Sequence, residues 1–202
     1  MATGAGEFEA IVLAAGTGSR FGGGKLLAPR AGGVLLDGAL AAAFAAPVRR
    51  VVVVTGADGE AVAQAAQAFA RSIRQEARLT TVHAGDYAEG MGASLRRAAA
   101  ELGADCAGVF VLLGDMPRVS HAVLSPLAQA VRAGAPAAAP SFGGRRGHPV
   151  VIGANLLPQL LTLTGDAGAR SILKDLGDRF VLVEAPDDGV LFDVDERGDL
   201  QG

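Results

Sequence analysis

The strongest constraint on this chain lies at one junction. The apolar run Phe8 to Leu13 (FEAIVL) passes directly into a loop that places five glycines in the nine positions from Gly16 to Gly24. The run reads as a buried strand. In an open α/β sheet a ligand lies beyond the carboxyl ends of the strands, which is where this loop begins. Without Cβ atoms, its amides can converge on an anion. Arg20 and Lys25 add fixed positive charge, the first as a planar fork and the second as a compact point charge. A polyphosphate cradle is the direct implication. Glycine alone would also suit a plain tight connection, but two basic residues within the loop weigh against it. The chain has only two lysines, Lys25 and Lys174, so arginine is the usual basic residue here and Lys25 stands out.

The familiar nucleotide loops do not fit. After Gly16 and Gly18 the dinucleotide fingerprint requires glycine where Phe21 stands, and no acidic residue ends the next strand. A P-loop requires Ser or Thr after Gly24-Lys25, where the chain has Leu26, and glycine where it has Ser19.

Further strands are expected at Arg50–Thr55, Leu79–His83, Gly108–Leu113, Ala135–Pro140, Pro149–Ile152, Arg179–Glu184 and Val190–Val194. Between them, helices are expected over Leu36–Ala46, from a capping Asp58 to about Ile73, over Gly92–Leu102 with Arg96 and Arg97 outward, and from a capping Ser120 to about Ala133. Two more are expected at Asn155–Leu163 and Ala167–Leu176. Strand and helix in alternation imply a parallel sheet with right-handed crossovers. No linker or repeat interrupts the pattern. We therefore expect one domain over residues 1–202, with 1–7 as a flexible tail. Its architecture is expected to be three-layer α/β/α with a Rossmann-like, mostly parallel sheet, and its last third carries substrate-facing insertions.

Eighteen basic residues against 21 acidic ones argue against charge-driven binding to nucleic acid or an anionic membrane. No apolar stretch is long enough to span a bilayer, and the expectation is a cytoplasmic protein. Cys106, the single cysteine, cannot form an internal disulfide, and no Cys/His spacing suits zinc.

Asp115 leaves the fourth strand in Gly114-Asp115-Met116-Pro117, on the same sheet edge as the glycine loop. A carboxylate there suits magnesium, which takes hard oxygen ligands and keeps several waters, although a turn aspartate fixing the chain before Pro117 is the plainer reading. Gly90 and Ser94 open the helix after the third strand towards a polar ligand.

The loop Leu13-Ala-Ala-Gly-x-Gly-x-Arg-Phe-Gly-x-x-Lys25-Leu-Leu resembles the signature L-A-A-G-x-G/S-x-R-M/F-G-x-x-K-L/M of nucleotidyltransferases. Within the MobA-like transferases it looks most like the molybdenum cofactor cytidylyltransferase group. Gly-Asp-Met-Pro117 resembles that family's metal turn, Asp193-Val-Asp195 its second acidic site, Gly147-His148-Pro149 its G-H-P motif and Gly165-Asp166-Ala-Gly-Ala-Arg170 its G-D-x-G-A-R motif. The chain departs from the family after Asp195, reading Glu-Arg-Gly-Asp-Leu200 where the family has Thr-Pro-Glu-Asp-Leu, which puts the following helix in doubt.

The resemblance implies the nucleotide-diphospho-sugar transferase type of fold, with nucleotide contacts at Leu13, Ala14, Ala15, Gly16, Gly18, Arg20, Lys25, Thr55, Gly90, Ser94 and Gly114. It further implies magnesium on Asp115 with Asp193 or Asp195, and an acceptor near Gly147, His148, Pro149, Asp166 and Arg170. Arg20, Lys25 and Asp115 would carry the catalysis. The reaction implied is transfer of CMP from CTP to the terminal phosphate of molybdopterin carrying molybdenum, with transient contact to a recipient molybdoenzyme. Guanylyltransferase relatives usually have Leu-Ala-Gly-Gly, so Ala15 points to CTP. Three other readings stay open: another NTP transferase of the same fold, either GTP-dependent or a cytidylyl- or sugar-phosphate transferase; a non-catalytic nucleotide-binding partner of a molybdoenzyme; and a nicotinamide-dependent oxidoreductase, which the missing fingerprint weakens.

Overall fold

The computed structural model describes residues 6–166 and 168–201. Residues 1–5 of the expected tail and Ala167 of an expected helix lie outside the described residues. Glu7 is already tied to the body, since its carbonyl accepts from the Ala107 amide at 3.1 Å.

The strands are β1 (Phe8–Ala14), the short pair β2 (Pro29–Arg30) and β3 (Gly33–Val34), β4 (Val48–Thr55), β5 (Leu79–His83), β6 (Gly108–Leu113), β7 (Ala137–Phe142), β8 (Arg145–Arg146), β9 (Val150–Gly153) and β10 (Phe180–Glu184). The helices are α1 (Leu36–Ala45), α2 (Gly59–Ser72), α3 (Met91–Ala99), α4 (Leu124–Arg132) and the short α5 (Leu157–Leu160) and α6 (Arg170–Lys174). The main sheet runs β10-β7-β9-β6-β1-β4-β5, with β8 beside β7 and β2–β3 as a separate ribbon. β9 is antiparallel to β6 and β7, while β1 is parallel to β4 and β6. The expected mostly parallel sheet therefore forms, with one reversed strand in its middle.

Period-two alternation divides the strand residues between two helical layers. Ala10, Val12, Val51, Val53, Phe110 and Leu112 pack with residues of α1, α2 and α4. Ile11, Val52, Val54, Val109 and Val111 pack on the other face with residues of α3, α5 and α6. Register places Leu13 between Val54 and Leu113, so the chain leaves β1, β4 and β6 at one edge.

Glu9 is the exception inside β1, being fully buried. Its Oε1 accepts from Arg49 Nη2 at 2.8 Å and the Gly103 amide at 3.1 Å, while its Oε2 accepts from Arg50 Nη2 at 2.7 Å. Arg49 also donates to Asp105 at 2.7 Å, which raises the already high pKa of the guanidinium and lowers that of the Asp105 carboxyl. This network closes the amino-terminal end of the sheet.

Four local expectations need correction. Asp58 and Ser120 occupy helix-start positions but make no side-chain capping bond, and a 3-10 turn, His121–Val123, precedes α4. Arg96 does not simply point outward, because it bonds to Asp86 and Leu163. The segments expected as long helices at Asn155–Leu163 and Ala167–Leu176 are shorter: a 3-10 turn, Ala154–Leu156, leads into α5, and α6 spans five residues. Val190–Val194 is not a strand: Asp188–Leu191 is a 3-10 turn and an irregular strap follows. Four of the five residues in Val190–Val194 are apolar, as in a buried strand, but their backbone is bonded elsewhere. His148 N–H donates to Val190 O at 2.9 Å and Val194 N–H to Asp115 O at 3.0 Å.

Candidate functional site

A cavity of about 470 Å³ opens at the carboxyl edge of the sheet. Its floor is formed by Leu13 and Leu113 at the ends of β1 and β6, and one wall by Ala15, Gly16, Thr17, Gly18, Lys25 and Leu26 of the glycine loop. Tyr87, Ala88, Gly90, Met91 and Ser94 line it from the turn before α3 and from the start of that helix, and Asp115 and Asp166 complete the lining.

The loop takes its shape at Gly18, whose φ of 58° is a left-handed conformation that favours glycine. A Cβ there would lie 2.8 Å from Lys25 Cβ, so glycine also lets the lysine stem pass close by. Gly18 O accepts from the amides of Phe21, Gly22 and Gly23 at 3.0–3.1 Å. Those three amides are satisfied within the loop. The amides of Gly16, Thr17 and Gly18 have no partner among the described residues.

Lys25 is the electrostatic centre of the site. Its ammonium donates to Asp115 Oδ2 at 2.7 Å and lies 3.6 Å from Asp195 Oδ1, with only 12% of the side chain exposed. Asp195 also accepts from Arg20 Nη1 at 2.8 Å, a pair open to solvent and so of little energetic weight. The strap that brings Asp195 here is held by Val194, which is buried with Phe21, Ala28 and Leu35. Asp199, which stands where the family motif also has Asp, ties this turn together: its carboxylate accepts from the amides of Glu196 at 2.8 Å and Asp195 at 2.9 Å, bonds that lower its pKa. Asp193 is exposed and forms no ion pair among the described residues.

Among the described residues, no three His, Cys, Asp or Glu side chains converge as a metal cage. Asp115 and Asp195 nevertheless face one ammonium and lie within reach of a single cation. Magnesium commonly takes one or two protein carboxylates, with phosphates and waters completing its shell, so the donor set fits a metal carried on a polyphosphate.

The remaining expected residues lie around this centre in other roles. Ala14 is buried in the core. Thr55 is also buried, with its hydroxyl 3.5 Å from Val82 O. The Gly114 amide donates to Leu13 O at 2.9 Å and joins the ends of β1 and β6 without lining the cavity. Gly147, His148 and Pro149 lie beside the strap, and the Gly147 amide donates to Pro140 O at 2.8 Å. The His148–Pro149 peptide is cis. His148 Nδ1 is enclosed without a partner among the described residues, and burial lowers the imidazole pKa against an opposing backbone contact at Val111. Arg170 begins α6 and is exposed. Of the residues expected to hold the acceptor, Asp166 alone lines the cavity.

Sequence reasoning missed Thr17, Leu26, Tyr87, Ala88, Met91 and Leu113. Tyr87 carried a usable signal, as the only tyrosine of the chain and part of the Asp86–Leu95 segment. The apolar lining residues carried none, because they resemble core residues until the cavity is seen.

The MobA-like NTP transferase domain matches residues 10–180. Nicotine blue oxidoreductase of Paenarthrobacter nicotinovorans is 34% identical over 198 residues, covering 92% of this chain and 90% of the relative. The molybdenum cofactor cytidylyltransferase of Escherichia coli is 26% identical over 192 residues, covering 95% and 93%. Among solved structures, Rv0371c of Mycobacterium tuberculosis superposes with a TM-score of 0.79 at 24% identity, over 98% of this chain and 97% of that one. A second structure of Rv0371c, a complex with manganese, superposes with a TM-score of 0.70 at 24% identity over 90% of each chain.

Proposed function

The chain belongs to the MobA-like NTP transferase family and is a nucleotidyltransferase, and from that premise we propose that it moves CMP from CTP to the terminal phosphate of molybdopterin carrying molybdenum. The observation that carries the proposal is Lys25, held between Asp115 and Asp195 at the rim of the cavity. The cytidylyltransferase relative supports the choice of base and acceptor. Ala15 lines the cavity, and a methyl group there in place of glycine would leave less room for a purine than for a cytosine.

In the proposed reaction an oxygen of the acceptor phosphate attacks the α-phosphorus of CTP. A new phosphorus–oxygen bond forms as the bond from the α-phosphorus to its bridging oxygen breaks, and pyrophosphate leaves with that electron pair. The attacking oxygen is already anionic, so no side chain has to remove a proton. The protein then has two tasks, in-line placement and neutralisation of charge. The free amides of Gly16 to Gly18 and the Arg20 guanidinium would hold the triphosphate, with Lys25 moving from the carboxylates onto its oxygens. Asp115 and Asp195 would hold magnesium, which when bound supplies charge neutralisation on the phosphate oxygens. Rv0371c, which shares this fold, has been solved as a complex with manganese, in keeping with use of a divalent ion. Asp166 would meet the acceptor. A soluble cytoplasmic location and a brief contact with the recipient molybdoenzyme follow from this reading.

The oxidoreductase relative favours one other reading, hydride transfer from a nicotinamide nucleotide in the same cavity. One experiment separates the two. Purified protein is incubated with magnesium, the pterin acceptor and either CTP or GTP, and pyrophosphate is measured. A parallel reaction with a reduced nicotinamide nucleotide and an electron-accepting dye is followed by absorbance. Pyrophosphate released with CTP, acceptor and metal together is the expected result. CTP binding without release, or nicotinamide oxidation alone, would overturn the proposal.

A further inference from the structure

The lining of the cavity draws on two segments far apart in sequence, the turn carrying Tyr87 and the loop carrying Asp166. Neither is part of a long helix or a strand. Both are fastened to α3, and one guanidinium reaches both. Arg96 Nη2 donates to Asp86 Oδ2 at 2.5 Å and lies 3.8 Å from Glu89 Oε2, so it holds both ends of the Tyr87 turn. Its Nη1 donates to the Leu163 carbonyl at 2.5 Å, three residues before Asp166. One helical turn earlier, the Gly92 amide donates to Gly165 O at 2.8 Å. Gly90, with φ of 117°, lies so close to Asp166 that a Cβ would stand 2.2 Å from its Oδ1.

We propose that Arg96 is a positioning residue which clasps the nucleotide-side wall to the acceptor-side loop, and so couples the placement of Tyr87 to that of Asp166. This rests on the reading of the cavity as the nucleotide site. The chemistry selects arginine, because its planar fork can donate to a carboxylate and a carbonyl in different segments at once, whereas a lysine ammonium is a single point of charge. Arg97, its neighbour, pairs among the described residues only with Glu101, at 2.7 Å along the same helix, the pattern of an ordinary solvent-side arginine. Adjacent arginines therefore have different roles, and Arg97 serves as an internal control.

The chain contains one tyrosine and no tryptophan, so its intrinsic fluorescence reports on Tyr87 itself. The test measures acrylamide quenching of that fluorescence and steady-state kinetics in Arg96→Ala, Arg96→Lys, Asp86→Asn and Arg97→Ala, with melting temperature recorded for each. In Arg96→Ala, quenching should increase and KM for both nucleotide and acceptor should rise about tenfold, the change that loss of a charge-assisted hydrogen bond brings. Turnover at saturation should fall much less. Asp86→Asn should raise KM for the nucleotide alone, since Leu163 stays fastened. Arg96→Lys should lie between Arg96→Ala and the wild type, and Arg97→Ala should behave as the wild type. Unchanged quenching and KM in Arg96→Ala would overturn the clasp, as would an equal effect in Arg97→Ala. If Arg96→Ala fails to fold, Asp86→Asn and Arg96→Lys test the clasp in its place, and wild-type quenching and KM in both would overturn it. Quenching needs no turnover, so a wild-type protein that releases no pyrophosphate but shows the expected quenching differences would refute the proposed reaction and leave the clasp standing.

Discussion

Each end of the sheet carries a cluster of acidic and basic side chains, and the two differ in how completely they are satisfied. At the amino end, both oxygens of the buried Glu9 carboxylate are occupied by arginine forks, and Gly103 adds an amide. At the carboxyl end, Lys25 makes one short bond to Asp115 and a looser approach to Asp195, whose side chain is 47% exposed. The amino-end arginines are locked because each meets several partners at fixed angles. The lysine has three rotatable donors on a flexible stem and can change partner. A closed network braces the architecture, whereas an open one beside a cavity can be completed by a ligand. The contrast assigns stability to the first cluster and chemistry to the second.

The largest expected effect tests the stability half of that contrast. Removing one partner from a buried ionic network leaves an uncompensated charge and costs about 3–5 kcal/mol. Glu9→Gln, which keeps the volume, should therefore shift the urea midpoint strongly downward while the folded fraction keeps its turnover. Lys25→Ala should show the opposite pattern. Turnover should fall by about 10² if the ammonium stabilises leaving pyrophosphate, with a smaller loss of stability than in Glu9→Gln, because Asp115 and Asp195 stay partly open to water. Denaturation curves and initial rates on the same preparations decide the matter, and equal stability losses in the two variants would erase the distinction.

A smaller effect sharpens the open cluster from within. Asp195 faces Lys25 and Asp193 does not, so Asp195→Asn should raise the metal concentration needed for half-maximal activity by about tenfold, as loss of a metal-orienting group commonly does. Asp193→Asn should leave it unchanged. The reverse order would place the metal on the other side of Val194.

The open cluster was more legible in the sequence than the closed one, for a physical reason. Gly18, Arg20, Lys25 and Asp115 stand where strands end, and strand ends are where an α/β sheet collects its ligands. Glu9 sits inside a strand whose partners at 49, 50 and 105 come together only through β-pairing, and no spacing rule reveals it. Strand order was accessible only as far as parallel rhythm implies it. The reversed β9 was not, because a four-residue apolar strand reads alike in either direction. Val190–Val194 misled because its two ends are buried for unrelated reasons. Val190 enters the main core and Val194 enters the small cluster under the glycine loop. Tyr87 and Asp166 share a cavity only because Arg96 and Gly92 hold their segments to α3, a convergence that exists only in three dimensions.

The smallest effects concern pH, and they separate groups around the open end by the sign of their linkage. Amides of Asp195 and Glu196 hold the Asp199 carboxyl below its ordinary range. Its contribution is therefore fully present above the unfolded carboxylate value, and is lost as pH falls through the depressed folded value. Burial lowers the His148 imidazole, so below the ordinary histidine value of about 6.5 the unfolded chain binds the proton that the folded chain refuses. Stability from this site is complete above that value and declines as pH falls towards the lowered folded one. His148→Gln should flatten the decline of unfolding free energy just below neutrality, while Asp199→Asn should change the curve only in the acidic range, where carboxylates titrate. Urea titrations across pH distinguish the two. If His148→Gln leaves the near-neutral slope as it was, the enclosed Nδ1 is not held neutral by burial, and the ring is free to take up a proton beside Asp115.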